Sequence, residues 1–460
     1  MLTSYLPIVL GLLILYSFMM GRGRIRRAAD AQAVRPHSQF GYYGLYVALW
    51  CGLPAVVVVL AWLMFGPLIV DAVVMASLPE QLTAGMDVSQ LGLLEAEIKA
   101  IAGGVVFGEP TPAVLAAAER LNSLRGISST AMFVVVVCVA LGAIAYSRRR
   151  VTPDFRARNK VERTTFWLMV LCSVIAIVTT VGIVLSLLFE SFRFFQLVPF
   201  WEFLFGTTWD PQMPIRADQV AAEGAFGALP VLAGTVLISV IAMLVAIPVG
   251  LLTAIYLAEY APGRVRASVK PVVEILAGIP TIVYGFFAVL TVAPWLRQIG
   301  LSIGLDVAPN SAIAAGAVMG IMIIPFISSL SDDALHAVPQ SLRDGAAALG
   351  ATRRETIIQV IVPAALPGIV GGVLLAVSRA IGETMIVVMA AGLIANATAN
   401  PFEAVTTVTV QIVTLLIGDT EFDSPKTLAA FALGLMLFVI TLGLNLVALT
   451  VTKKYRERYE

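Results

Sequence analysis

Residues 332–368 read DDALHAVPQSLRDGAAALGATRRETIIQVIVPAALPG, a polar stretch set between two long apolar runs. Its spacing predicts two short helices, 339–349 and 352–362, separated by Gly350, a residue free to take the left-handed backbone that folds one helix back on another. Pro363 is expected to end the second helix, because proline lacks the amide that a helix interior requires. The segment reads as a helical hairpin, and the surface on which it stands follows from the runs around it.

A bilayer core about 30 Å thick takes about 20 mostly apolar helical residues per crossing. Uncharged runs of that length occur at 2–21, 36–70, 126–147, 164–189, 224–258, 275–296, 307–331 and 427–452, and one more, 365–395, is interrupted by Arg379 and Glu383. The expectation is an all-α, polytopic integral membrane protein in contact with lipid, with about nine transmembrane helices. Composition agrees: of 460 residues 59% are hydrophobic and 13% charged, which excludes a soluble enzyme, and a net charge of +1 gives no reason to propose nucleic acid as a partner. Cys51, Cys138 and Cys172 are scattered through apolar runs and read as small hydrophobes, without a disulfide framework or a thiolate metal site.

No basic residue precedes the first run, and Arg22, Arg24, Arg26 and Arg27 follow it, the reverse of signal-peptide charge order, so the first run is read as a span with the N-terminus outside. Counting from there, the connections 22–35, 148–163, 264–270, 343–354 and 453–458 share one side and carry 22 basic residues, against seven on the other. That asymmetry predicts the crowded side to be cytoplasmic, and with it the hairpin and the C-terminus. Two modules follow: 1–163, with three spans and an outside helical segment at 76–128, and 164–460, with six spans and the cytoplasmic loop 331–364. Leu91, Leu93, Leu94, Ile98 and Ile101 have helical spacing within 76–128, which fits an interfacial connector or a contact for an outside partner.

Several chemistries lack their residues. A phosphate-cradling P-loop needs a lysine after a glycine, and none of the six lysines follows one, so the chain is not expected to hydrolyse ATP itself or to have catalytic residues. Gly300-Leu301-Ser302-Ile303-Gly304 matches the hydrolase pattern G-x-S-x-G, but the two histidines, His37 and His336, fall on the opposite side. Two histidines without H-E-x-x-H give no zinc site, and no metal or cofactor is expected in this chain.

The hairpin carries a resemblance. Asp344, Gly345 and Ala346, then Gly350, then Val360, Val362 and Pro363 are similar to the EAA pattern of permease subunits of binding-protein-dependent ABC importers, with Asp for the usual Glu and Gly for the usual Ala. The segments FLFGTTWDP (203–211), FGALPVLAGT (226–235), IYLAEYAPG (255–263), AGIPTIVYGFF (277–287) and SRAIGETM (378–385) resemble the PstC-type permease of phosphate importers, over 164–460. The first module is similar only to the extra N-terminal region of longer members. The resemblance implies a six-helix core of the type I (MetI-like) kind, a bacterial inner-membrane location and transport of inorganic phosphate. It also implies a PstA-type second permease, a PstB-type ATPase that carries ATP and Mg and docks on the EAA loop, and a PstS-type binding protein. A permease for another oxyanion or small solute, a transporter acting alone, and a membrane scaffold for phosphate signalling are the alternatives.

Arg379 is expected near the middle of the eighth span, where an arginine facing lipid costs about 2.5–3.5 kcal/mol. Glu383, one turn on, would share its face and pair with it. Two readings stand: Arg379 with Glu383 and Thr384 lines an anion pathway, as the resemblance implies, or the pair neutralises itself and pins the helix to a neighbour. One Arg–Glu pair cannot balance a phosphate dianion, so further cations are expected from the second permease. Glu274, Pro280 and Tyr284, at a bend in the sixth span, read either as gating residues or as an interfacial carboxylate, a packing kink and a hydroxyl bonded to a nearby carbonyl.

Overall fold

In hydrocarbon every backbone N–H and C=O must bond within its own segment, so long apolar stretches resolve into helices. A computed structural model describes residues 2–79, 86–105, 111–212, 224–417 and 424–456. Among these, nine helices are long and apolar enough to cross a membrane: Ser4–Ala31, Phe40–Ala76, Pro112–Arg150, Ala157–Leu197, Leu229–Tyr260, Thr281–Ser302, Ala312–His336, Arg353–Ile381 and Pro425–Lys454. The all-helical polytopic architecture is therefore observed, with one small exception, a two-residue antiparallel ribbon of β1 (Trp209–Asp210) and β2 (Ala225–Phe226).

The chain forms two compact units, Met1–Val178 and Thr179–Glu460. In the first, α1 (Leu2–Gln32), α2 (Phe40–Ala76) and α4 (Pro112–Arg150) pack along a seam of Leu6, Cys51, Ala55, Met132, Val136 and Ala140. The short α3 (Val88–Ala102) buries Leu94 and Ile98 against Val74, Val114 and Leu121, and its Lys99 bonds Asp71 at 2.8 Å and Glu95 at 2.6 Å. Of the expected outside segment 76–128, residues 80–85 and 106–110 lie outside the described residues, and the part from Pro112 onward is the start of α4. The helix α5 (Ala157–Leu197) follows.

In the second unit, α6 (Phe200–Phe205) and the ribbon sit in an aromatic cluster of Phe194, Phe203, Trp209 and Phe226. The central pair is α7 (Leu229–Ile255), prolonged by a π-helical turn Tyr256–Tyr260, and α11 (Ala312–His336). Their small residues, among them Ala242, Ala246, Ala312 and Ala315, give the main core with Met319, Ile323 and Ile327. Close approach governs Gly234 of α7, where an added Cβ would stand 2.1 Å from the Thr406 carbonyl oxygen.

Three expected features are corrected. The run 275–296 is not one helix: α8 (Gly263–Gly278) stops, Ile279 and Pro280 are extended with ψ of 129° and 136°, and α9 (Thr281–Phe287) starts afresh before a π-turn, Ala288–Val292, and α10 (Ala293–Ser302). The residue before a proline is pushed out of the helical region and proline itself donates no bond, so the chain breaks there instead of bending. The run 365–395 likewise ends early: the helix through it, α14 (Val362–Ile381), is capped by Gly382, and a separate short helix, α15 (Met385–Ala390), follows. Pro363 does not end the hairpin's second arm. That arm, α13 (Arg353–Thr356), passes through a π-turn, Ile357–Ile361, directly into α14, so Pro363 occupies the first turn of α14, where a missing N–H costs little. The described chain closes with α16 (Val408–Leu416) and α17 (Pro425–Arg456).

Candidate coupling hairpin and substrate pathway

The hairpin's first arm, α12 (Gln340–Ala348), begins on Pro339 and has no buried residue. Asp344 and Gly345 are exposed, Ala346 is half-buried, and Gln340 Nε2 donates to Asp344 Oδ1 at 3.1 Å. Gly350 has φ +81°, the left-handed backbone expected of it, and Leu349 beside it is 91% exposed. The second arm opens with a capping box: Glu355 N–H donates to Thr352 Oγ1 at 3.4 Å, and Thr352 N–H donates to Glu355 Oε2 at 2.8 Å. The pattern T-x-x-E was present in the sequence and marks this start more sharply than the glycine does. Behind it Ile357 and Ile361, with Ala365 and Ile369, pack on Ala254 of α7 and Leu335 of α11, whereas Val360 and Val362 are only half-buried.

Both arms converge on the last turn of α7. Arg343 of α12 donates through Nη1 to Glu259 Oε1 at 2.5 Å and through Nη2 to the Leu335 carbonyl at 2.9 Å. Arg353 of α13 donates to the Glu259 carbonyl and lies over the Tyr260 ring, 5.5 Å from its centroid. From sequence, Glu259 beside Tyr256 and Tyr260 reads as a membrane-boundary anchor; in the structure it is buried and receives both arms of the hairpin.

A second group, missed in the sequence, pins α8 to α11. Asp332, buried near the end of α11, accepts from Arg266 Nη2 at 3.0 Å and Lys270 Nζ at 2.7 Å. Its carbonyl accepts from His336 Nδ1 at 2.8 Å. Arg266 Nη1 also contacts His336 Nε2, and His336 Nδ1 lies 3.3 Å from Asp332 Oδ1. The hydrogen bond to Asp332 holds the Lys270 amine above its ordinary value of 10.5. Glu274 is exposed on α8, outside the spans, and does not enter the sixth span as expected. Tyr284 is buried and spans the break at Pro280, its hydroxyl donating to the Leu276 carbonyl at 2.8 Å.

The expected pairing of Arg379 with Glu383 is also corrected. Arg379 lies in the last turn of α14, and because Gly382 ends the helix, Glu383 is not carried onto the same face. Among the described residues no ion pair joins them. The Glu383 carboxylate accepts from Met385 N–H at 3.2 Å, and its carbonyl accepts from Thr409 Oγ1 at 2.8 Å. Thr384 Oγ1 makes a long contact to the Gly382 carbonyl at 3.5 Å. Arg379 is exposed, its guanidinium carbon 5.8 Å from the Phe326 ring centroid on α11. A cation in the last turn is favoured by the unpaired carbonyls there, so it does not depend on Glu383 for a counter-charge. Among the described residues no group of three His, Cys, Asp or Glu side chains is placed to hold a metal ion.

Comparison with known sequences accords with this geometry. Residues 246–457 match the family described as binding-protein-dependent transport system inner membrane component, and residues 7–107 match one described as phosphate ATP-binding cassette transporter. A probable ABC transporter permease protein, YqgH, of Bacillus subtilis is 35% identical over 272 residues, covering 59% of this chain and 84% of that protein. The phosphate transport system permease protein PstC of Mesorhizobium japonicum is 33% identical over 321 residues, covering 66% of this chain and 92% of its own. Among solved structures, a bacterial alginate ABC transporter chain aligns with a TM-score of 0.43 at 17% identity, over 66% of this chain and 99% of that one. The chain thus belongs to the PstC-type family of phosphate ABC transport permeases, inner-membrane components of binding-protein-dependent transport systems.

Proposed function

We propose that this chain forms one half of a phosphate pathway, shared with a PstA-type permease, and that a PstB-type ATPase drives it by docking on α12. The observation that carries this reading is the character of that arm. It is a helix of nine residues with none buried, tied to the spans through Arg343. A helix so short is not stable by propensity alone, and an exposed one held at a single side is suited to receiving a partner on the other. Asp344, Gly345, Ala346 and Gly350 form the docking side, while Val360, Val362 and Pro363 carry the second arm into α14.

In this reading the N-terminus is outside, and the hairpin and C-terminus are cytoplasmic. ATP and Mg belong to the ATPase. A PstS-type protein delivers phosphate to the outside ends of the spans, and 1–163 is an accessory module attached to the core 164–460. Arg379 is exposed at the end of a span, so in lipid its charge requires cover by the second permease or by water. Its planar fork suits phosphate oxygens, and Glu383 and Thr384 line the unwound turn beside it. Glu274, Pro280 and Tyr284 mark a break that permits α8 and α9 to change angle during alternation of access.

The docking side is tested by placing a cysteine at Leu349, the 91% exposed residue at the hairpin tip. In inside-out vesicles a membrane-impermeant maleimide should label Leu349→Cys, and added ATPase subunit should protect it. Labelling that is unchanged by a bound ATPase would refute the docking assignment.

A further inference from the structure

The hairpin is attached to the spans in an unusual way. Its second arm packs by apolar contact, through Ile357 and Ile361. Its first arm buries no residue, and Ala346 on it is only half-buried. What reaches from α12 into the protein is Arg343. Its guanidinium makes one bond to Glu259 at the end of α7 and one to the Leu335 carbonyl near the end of α11. The side chains of Arg343 and Glu259 are 20% and 9% exposed, so the pair is largely removed from water.

A buried ion pair is seldom the most stabilising choice for its position, since apolar residues of similar volume often serve as well or better. Its distinctive property is direction. Two bonds from one planar group fix the angle as well as the distance between the elements they join. The turn that receives them is gripped from both arms, because Arg353 of α13 bonds the same residue's carbonyl and covers Tyr260. That turn is π-helical and continues into α7, which packs along α11 in the main core, where Phe326 faces Arg379.

We infer that Glu259 and Arg343 form the strut that carries movement of α12 into α7 and α11, making both positioning residues for transport with no contact to phosphate or ATP. This rests on the reading that the ATPase docks on α12. Without the strut, α12 could follow the ATPase through its cycle while the spans stayed behind. The signature of the strut is therefore loss of coupling, in which ATP is consumed without phosphate moving.

The test uses the complete complex of this chain, second permease, ATPase and phosphate-binding protein in proteoliposomes, with Glu259→Gln, Arg343→Gln and the double variant. Glutamine keeps most of the volume and some hydrogen bonding at both positions, so folding is disturbed least. The expected result is that each single variant assembles and hydrolyses ATP at the parent rate, while phosphate taken up per ATP falls at least about tenfold, and that the double variant is no worse than either single, as for two ends of one connection. Uptake per ATP within about twofold of the parent would overturn the inference. So would failure of all three to assemble, or uptake and hydrolysis falling in proportion, since either outcome marks the pair as packing alone. Protection of Leu349→Cys by the ATPase, measured in the Glu259→Gln background, separates the two proposals. Protection retained with coupling lost supports the strut, whereas absence of protection in the parent refutes docking and the strut with it.

Discussion

Replacing Gly345 and Gly350 by alanine should move the stability of α12 in opposite directions, and the structure supplies both signs. Gly345 is in the interior of α12, where an added Cβ meets nothing within 4 Å. Gly345→Ala therefore removes a backbone-entropy penalty at no steric cost, which favours the helix by about 1 kcal/mol. Gly350 also has open space around it, but its φ of +81° belongs to the left-handed region. Gly350→Ala keeps the space and adds strain of about 1–2 kcal/mol. These energies correspond to about a fivefold gain and about a five- to thirtyfold loss in the population of the closed hairpin. Amide hydrogen exchange of the purified permease reads them locally, at the amides of residues 344–351, where opening is expected to be frequent because α12 is short and has no buried residue. Protection should rise for Gly345→Ala and fall for Gly350→Ala, with amides in the α7–α11 core unchanged as an internal control. Equal protection in both variants, or a change of the same sign, would refute the argument that α12 is limited by its own backbone.

Two further outcomes follow from the site. The Lys270 amine is raised above 10.5 by Asp332, so its pairing stabilises fully below that value and is lost as pH rises through the folded-state value. The loss of thermal midpoint in Lys270→Met relative to the parent should accordingly be the same at about pH 6 and about pH 9, and shrink only above pH 10.5; a difference that vanished between about pH 6 and about pH 9 would contradict the assignment. For Arg379, a charge-assisted bond worth about 1.5–3 kcal/mol predicts that Arg379→Ala lowers phosphate uptake about ten- to a hundredfold in an assembled complex, with Arg379→Lys in between. Uptake at the parent level with full assembly would remove it from the pathway.

The spans were legible because a 20-residue apolar run has little alternative to a helix in lipid, and the hairpin was legible because Gly350 punctuates it. What the runs concealed were breaks inside them. Pro280 and Gly382 each interrupt a stretch whose hydropathy continues on both sides, so the apolar count carried the helix through a point where the backbone stops. The Arg379 to Glu383 spacing puts two residues on one face only while the helix lasts, and Gly382 removes that condition. Pro363 misled in the opposite sense, because the π-turn before it offers a place where proline is tolerated. Glu259, Asp332 and their cations are paired across 62 to 84 positions of sequence, a separation at which local spacing holds no information.

Each π-turn also acts as a phase shift. A helix advances about 100° per residue, so one extra residue accommodated in the turn Ile357–Ile361 sets the azimuth of everything after it on α14, Arg379 included. Loss of a single residue there would leave composition, length class and hydropathy nearly untouched, yet would swing Arg379 about a quarter of the way round the helix, away from Phe326. The direction in which the guanidinium points is thus written some twenty residues upstream, at the foot of the hairpin.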